Sequence, residues 1–370
     1  MADDVTPIVM PKWGLSMKEG TIVEVLVAAG DQIAVGQELM EVETDKIDGT
    51  VEAVDAGTLR RLVADVGKTY PVKGLLGVLA DPSVPDEVID WFVAAYEVYA
   101  EDDEAGADES PYLFTDVDGV RIRYARLGSG ERTVVLVHGF GGDIDNWLFT
   151  IGPLAEQAEV LAIDLPGHGE SELRLPGTSV ESLATFLVHL LDVLEVGEAH
   201  LVGHSLGGAI VAEAALAYPD RVASVALISS AGLGREINAE YLAGFVAAQS
   251  KREVKPMLAM LFADESLVTR SLVDGVLRYK RLDGVRELLA ELSMGAFPDG
   301  RQATEPARQL DTGRVPVLVI WGGADQVIPA SHAQFAPAGA AVVVIEGAGH
   351  MVQMERASEV NALLQRHLCP

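Results

Sequence analysis

Cysteine is all but missing from this chain. Cys369, next to the C-terminal Pro370, is the only one, so no intrachain disulfide can form. No apolar run approaches the roughly 20 residues that a membrane-spanning helix needs. The opening Met-Ala-Asp-Asp carries acids where a secretory leader carries a basic stretch and then an apolar one, so no signal peptide is expected. Basic side chains are scarce, 27 Lys and Arg against 56 Asp and Glu. The resulting net charge of −29 argues against nucleic acid and anionic membrane surfaces as partners. We therefore expect a soluble protein of the reducing cytoplasm, with no metal site.

What is present is ample core material. Of 370 residues, 49% are hydrophobic and only 22% charged, which excludes a disordered chain. The length exceeds one ordinary compact domain and suits two. Residues 5–80 read as all-β, with short alternating stretches punctuated by Gly20, Gly30, Gly36, Gly49, Gly57 and Gly67. The segment from Gly20 to Gly30 superimposes on the segment from Gly57 to Gly67, and Val35 and Leu39 map onto Val72 and Leu76. Such a duplication implies two small sheets related by a pseudo-two-fold axis. Between the halves lies Glu43-Thr-Asp-Lys-Ile-Asp-Gly49, which places Lys46 at an exposed hairpin tip. A lysine there can carry a reactive group on an amide-linked tether.

Residues 81–110 form a connector. Ser83 to Glu87 is a helix start, and Val88, Ile89, Phe92, Tyr96 and Tyr99 then fall at helical spacing. The charge run Glu101 to Glu109 is expected to be a disordered hinge. A dozen such residues have an r.m.s. span of about 20 Å and a stretched limit of about 40 Å, so delivery of the hairpin tip within one chain competes with delivery between neighbouring chains.

From residue 111 to 370, apolar strand-like runs alternate with helical patterns, which predicts an α/β domain around a buried parallel sheet. The strands are Thr133–Val137, Val160–Ile163, His200–Val202, Ala223–Ile228, Val317–Ile320 and Val342–Ile345. Helices are expected at Val180–Val196 and Gly208–Tyr218, and a mostly helical insert, about 233–314, forms a lid. The insert holds twelve Lys/Arg and twelve Asp/Glu, so all the net charge lies elsewhere. Lys251, Arg252 and Lys255, or Arg278, Lys280 and Arg281, are candidates to meet an anionic cofactor.

Gly203-His-Ser-Leu-Gly207 follows a strand and opens a helix, the context in which a serine hydroxyl is presented on a sharp turn. Ser205 needs a base. Of eight histidines, His350 stands apart, in a glycine-rich loop after the last strand. The orienting acid should lie between them in sequence and after a strand. Asp325 in Trp321-Gly-Gly-Ala-Asp does both, whereas Asp164 precedes Ser205 and reads as structural. The oxyanion needs two N–H donors, assigned here to Leu206 and to Phe140 in His138-Gly-Phe-Gly-Gly142.

These motifs resemble two families. Glu43-Thr-Asp-Lys-Ile is similar to the modification turn of lipoyl domains. Biotinyl domains share that fold but usually place methionines where Asp45 and Ile47 stand. His138-Gly-Phe through Gly349-His350 is similar to the α/β-hydrolase family over residues 115–368. The pairing resembles the dihydrolipoamide acetyltransferase component of acetoin dehydrogenase complexes. That resemblance implies lipoate on Lys46, coenzyme A as acceptor, and acetyl transfer through Ser205. It also implies a thiamine-diphosphate-dependent dehydrogenase and a flavin-dependent dihydrolipoamide dehydrogenase as partners, with a homo-oligomer possible. The His-x-x-x-Asp-Gly motif of 2-oxo-acid dehydrogenase acyltransferases is missing, as is their basic subunit-binding domain. A thioesterase carrying its own lipoyl domain, or a catalytically silent carrier or scaffold, are the competing readings.

Overall fold

The computed structural model describes residues 5–44, 48–96 and 111–368. Lys46, Tyr99, the acidic run after it and Cys369 therefore lie outside the described residues. The chain divides into two compact units, Met1–Ser110 and Pro111–Pro370.

The N-terminal unit is built by the duplication. Its strands are β1 (Val5–Val9), β2 (Glu19–Val25), β3 (Gln32–Ile33), β4 (Glu38–Glu43), β5 (Asp48–Glu52), β6 (Gly57–Leu62), β7 (Thr69–Pro71) and β8 (Leu75–Ala80). They form two antiparallel four-stranded sheets, ordered β1-β8-β6-β3 and β5-β4-β2-β7. Exchanging each strand for its repeat partner turns one order into the other. The matched Gly30 and Gly67 both adopt positive φ, +104° and +82°, which explains why both copies keep glycine. Matched Leu39 and Leu76 are both fully buried, in a core with Ile22, Met40 and Leu59.

Helix α1 (Asp86–Ala95) opens after Pro85, with Asp86 and Glu87 in its first turn, where negative charge suits the helix dipole. Ile89 is buried against Val5, Leu75, Val78 and Ala80. Arg60 and Arg61 reach Asp86 and Asp90 at 2.7 and 2.5 Å. The helix is thus part of the N-terminal unit, covering its β1-β8 side.

The C-terminal unit has an eight-stranded sheet. Its strands are β9 (Tyr112–Val117), β10 (Val120–Leu127), β11 (Thr133–Val137), β12 (Glu159–Ile163), β13 (Ala199–His204), β14 (Val222–Ile228), β15 (Val317–Gly322) and β16 (Ala341–Ile345). The order is β16-β15-β14-β13-β11-β12-β10-β9. The six later strands are parallel, as expected; β9 and β10 form an antiparallel hairpin that the sequence reading passed over. The reason is chemical: Val120-Arg-Ile-Arg alternates, as strands near a sheet edge do, and lacks the continuous Val/Leu/Ile run of a buried strand.

The helices are α2 (Ile151–Ala155), α3 (Val180–Val193), α4 (Leu206–Ala217), α5 (Ala239–Ala247), α6 (Lys251–Ala259), α7 (Arg270–Lys280), α8 (Val285–Ala296), α9 (Val352–Glu355) and α10 (Ala357–Leu368). Four of them, α5 to α8, occupy the insert after β14. Among the described residues no helix is long and apolar enough to cross a membrane.

Candidate active site

Ser205 stands between β13 and α4 with φ +54° and ψ −119°, a conformation that costs an L-residue energy and persists only where its surroundings impose it. They do so through hydrogen bonds: Ser205 N–H donates to Ile228 O at 3.0 Å, and Ser205 O accepts from Gly208 and Ala231 at 3.0 and 2.9 Å. A side chain at Gly207 would sit 2.2 Å from Val137 O, and one at Gly208 would sit 2.0 Å from Ser230 Oγ. The helix therefore approaches the sheet only because both positions lack a Cβ.

His350 follows β16 in the loop 346–350. Its Nδ1 lies 2.8 Å from Asp325 Oδ2, and the two side chains are 2% and 0% exposed. Asp325 is held from three further directions. Val327 and Ile328 N–H donate to Oδ1 at 2.8 and 3.0 Å, and Trp321 Nε1 donates to Oδ2 at 3.1 Å. A carboxylate so supplied orients Nδ1–H toward itself and leaves Nε2 of His350 as the basic nitrogen. The loop is fixed in turn by Glu355, which accepts from Gly349 N–H on one oxygen and from Ala263 N–H on the other. His204 Nε2 donates to His350 O at 3.0 Å.

The other seven histidines have structural partners. His138 Nε2 accepts from Leu165 N–H at 3.0 Å, so its Nδ1 carries the proton toward Gly139 O at 2.8 Å. Burial, then the neighbouring His168, holds its pKa well below the ordinary value. Neutral and locked, it ties the loop 138–142 to the end of β12. His168 is lowered by burial to about 4 and bonds Pro166 O. His189, His200, His332 and His367 meet Asp118, Ser224, Glu236 and Val225 O. Asp164 is wholly buried, pairs with Arg123 at 2.5 Å and accepts from Ile144 N–H at 2.9 Å. Its role in the fold matches its sequence reading.

One cavity of about 70 Å³ is lined by Phe140, Ser205 and His350 together, and by the lid residues Tyr241, Phe245 and Phe262. The Phe140 ring meets Phe245 and Phe297 edge-on, each at 6.1 Å between centroids. Neither Asp325 nor Leu206 lines it: Asp325 is bonded to His350, and Leu206 follows Ser205 in the chain. These lid aromatics were not singled out in the sequence, and Glu355 left no signal there. Trp321, four residues before Asp325, carries no signal of its own beyond the Trp-Gly-Gly-Ala-Asp motif.

Of the lid cations, Lys251 is paired with Asp274 at 2.5 Å. Lys280 turns its amine onto Phe245 O and over the Phe245 ring, 4.6 Å from the centroid. It is therefore committed to the lid and withdrawn from the phosphate-binding candidates. Arg252, Lys255, Arg278 and Arg281 are exposed.

The strand pair β4–β5 closes at Glu43↔Asp48, so residues 44–47 connect the two sheet strands, with Lys46 among them. Glu43 and Asp48, the strand ends on either side, are exposed.

Comparison with known proteins gives a match to the family described as alpha/beta hydrolase fold over residues 132–357, and to that described as Biotin-requiring enzyme over residues 6–79. A dihydrolipoyllysine-residue acetyltransferase component of the acetoin cleaving system from Cupriavidus necator is 54% identical, covering 98% of this chain and 97% of its own. A protein of the same description from Pseudomonas putida is 46% identical over 97% and 98%. Among solved structures, a meta-cleavage product hydrolase from Pseudomonas fluorescens superimposes with a TM-score of 0.62 at 27% identity, over 69% of this chain and 96% of that one.

Proposed function

Because the chain belongs to the family of dihydrolipoyllysine-residue acetyltransferase components of acetoin cleaving systems, we propose that it passes an acetyl group from Lys46-linked lipoate, through Ser205, to coenzyme A. In this reading residues 5–80 are the carrier, 81–110 the connector and 111–370 the acyltransferase, with 233–314 as lid. The observation that carries it is the Asp325–His350 pair sharing one lid-covered site with Ser205. When bound, the lipoyl group supplies a thiol that holds the acyl group as a thioester.

The protein's own residues do the rest. His350 Nε2 takes the Ser205 hydroxyl proton as Oγ attacks the thioester carbonyl carbon. The oxyanion is met by the N–H groups of Leu206 and Phe140. As the C–S bond breaks, His350 returns the proton to the departing sulfur, leaving acetyl-Ser205. His350 then takes the proton of an acceptor thiol, whose sulfur attacks the acyl carbon. The C–O bond breaks and the proton goes back to Ser205. An enclosed, largely apolar lid favours a thiol over water as acceptor. Arg252 and Lys255, or Arg278 and Arg281, exposed on a neutral lid in an otherwise acidic protein, are the charges an anionic acceptor would meet. A thiamine-diphosphate-dependent dehydrogenase would charge the arm, and a flavin-dependent dihydrolipoamide dehydrogenase would reoxidise it, in the cytoplasm.

The test is the intact mass of the protein after incubation with acetyl-dihydrolipoamide. One acetyl adduct on Ser205 is expected without coenzyme A, discharged as acetyl-CoA when it is added. Ser205→Ala should lower transfer on the order of 10⁴–10⁶-fold, and His350→Ala by a similar factor, since they act as a unit. Discharge to acetate despite coenzyme A would make the protein a thioesterase. Near-normal transfer by Ser205→Ala would reduce its C-terminal unit to a scaffold.

A further inference from the structure

The cavity over Ser205 does not end at a thick wall. A second, larger pocket of about 510 Å³ opens on the lid between α5 and α8 and the turn 298–300. Leu242 and Phe297 line both compartments, and each is buried, 3% and 4% exposed. They form a partition one side chain thick. Phe297 reaches across it to Phe140, the candidate oxyanion residue. The outer pocket is roomy because its walls carry small side chains, among them Ala239, Ala243 and Ser293.

We infer that this outer pocket is the port for the acyl donor: it binds the uncharged aliphatic amide arm, and Leu242 and Phe297 swing aside to admit the thioester to Ser205. The inference rests on the acyl-transfer reading above and extends it to a binding site. Three observations bear on the occupant. The volume falls within the range of about 300–1,000 Å³ that small-molecule sites span. The lining is mostly apolar, which suits a chain of methylenes. Its single charged member among the described residues is Asp299, a carboxylate with no lining cation beside it. A polyphosphate would be repelled there, while a neutral amide would not. Donor and acceptor thus approach Ser205 by different routes, the anionic one elsewhere.

The test uses the full chain with Lys46→Ala, so that no tethered arm competes, and free lipoamide as the probe in equilibrium dialysis. Saturable binding is expected, and Ala243→Trp should weaken it about tenfold or more while leaving coenzyme A binding unchanged. Ala243 is exposed at the pocket mouth, so the substitution blocks without entering the core. Ser293→Trp, from the opposite wall, should act alike and covers a folding failure in either variant. Absence of saturable lipoamide binding, binding that neither variant alters, or a loss of coenzyme A binding in its place would each overturn the inference. The readout is binding, so it is separate from the acyl-transfer reading. Retained transfer in Ser205→Ala would sink that reading and leave the dialysis result standing.

Discussion

In the N-terminal unit the proposed work falls to one side chain, Lys46 in the connection between β4 and β5, and the core of Ile22, Leu39, Leu59 and Leu76 holds together the sheets to which those strands belong. In the C-terminal unit no single residue suffices. Ser205, Asp325 and His350 come from the ends of three strands, and Trp321, Glu355, His204 and His138 hold them or their loops from behind. A carrier tolerates change anywhere that leaves its fold and its lysine. A catalytic site is sensitive two residues deep. The contrast predicts where substitutions should hurt and in which assay.

The largest effect expected is all or none. Lys46→Ala should abolish the lipoyl adduct and with it all transfer from the tethered arm, while transfer from free acetyl-dihydrolipoamide continues at the normal rate. An adduct that persists, read by intact mass, would move the carrier lysine elsewhere. Next comes Asp325→Asn, which keeps the shape but lets His350 take the wrong tautomer. A fall of about 10⁴ in turnover on free substrate is expected, with the fold intact by circular dichroism. A loss under tenfold would mean that another group orients His350.

Supporting residues of the carrier should behave differently. Leu59 is fully buried, and Leu59→Ala should cost about 2–5 kcal/mol in the unfolding of the N-terminal unit. Turnover on free substrate should not change; a parallel loss would show that the two units are coupled. The smallest effect concerns Lys280. Burial, and then the nearby Arg286, lowers its amine to about 8, whereas an ordinary lysine titrates near 10.4. Between those values the unfolded chain binds the proton and the folded one has released it. Stability from this group is therefore lacking below about pH 8 and grows as pH rises toward about 10.4. Lys280→Gln should flatten that rise in the thermal midpoint; an unaltered slope would show that the amine is not desolvated.

What the sequence disclosed follows the same contrast. The six parallel strands were legible because burial on both faces leaves uninterrupted Val, Leu and Ile. The proposed nucleophile, base and acid could be singled out because each stands in a turn just after such a strand. The hairpin β9–β10 was missed because its pattern is shared with its solvent face. Glu355 and the lid aromatics were missed for a different reason: they meet the site only in three dimensions, from segments with ordinary helical spacing. Lys280 was a candidate to meet an anionic cofactor, but the fold turns it inward onto a helix-end carbonyl.

The strand orders of the N-terminal unit carry one more consequence. Each sheet takes two strands from the first repeat, β1 and β3 or β2 and β4, and two from the second. The halves are interlocked, and the segment that joins them is the one bearing Lys46. A protease that cut this turn would sever the chain yet free neither piece, because every sheet would still be stitched across the nick. A break in the connection between β4 and β5 would thus be bridged by the strand pairing on either side of it.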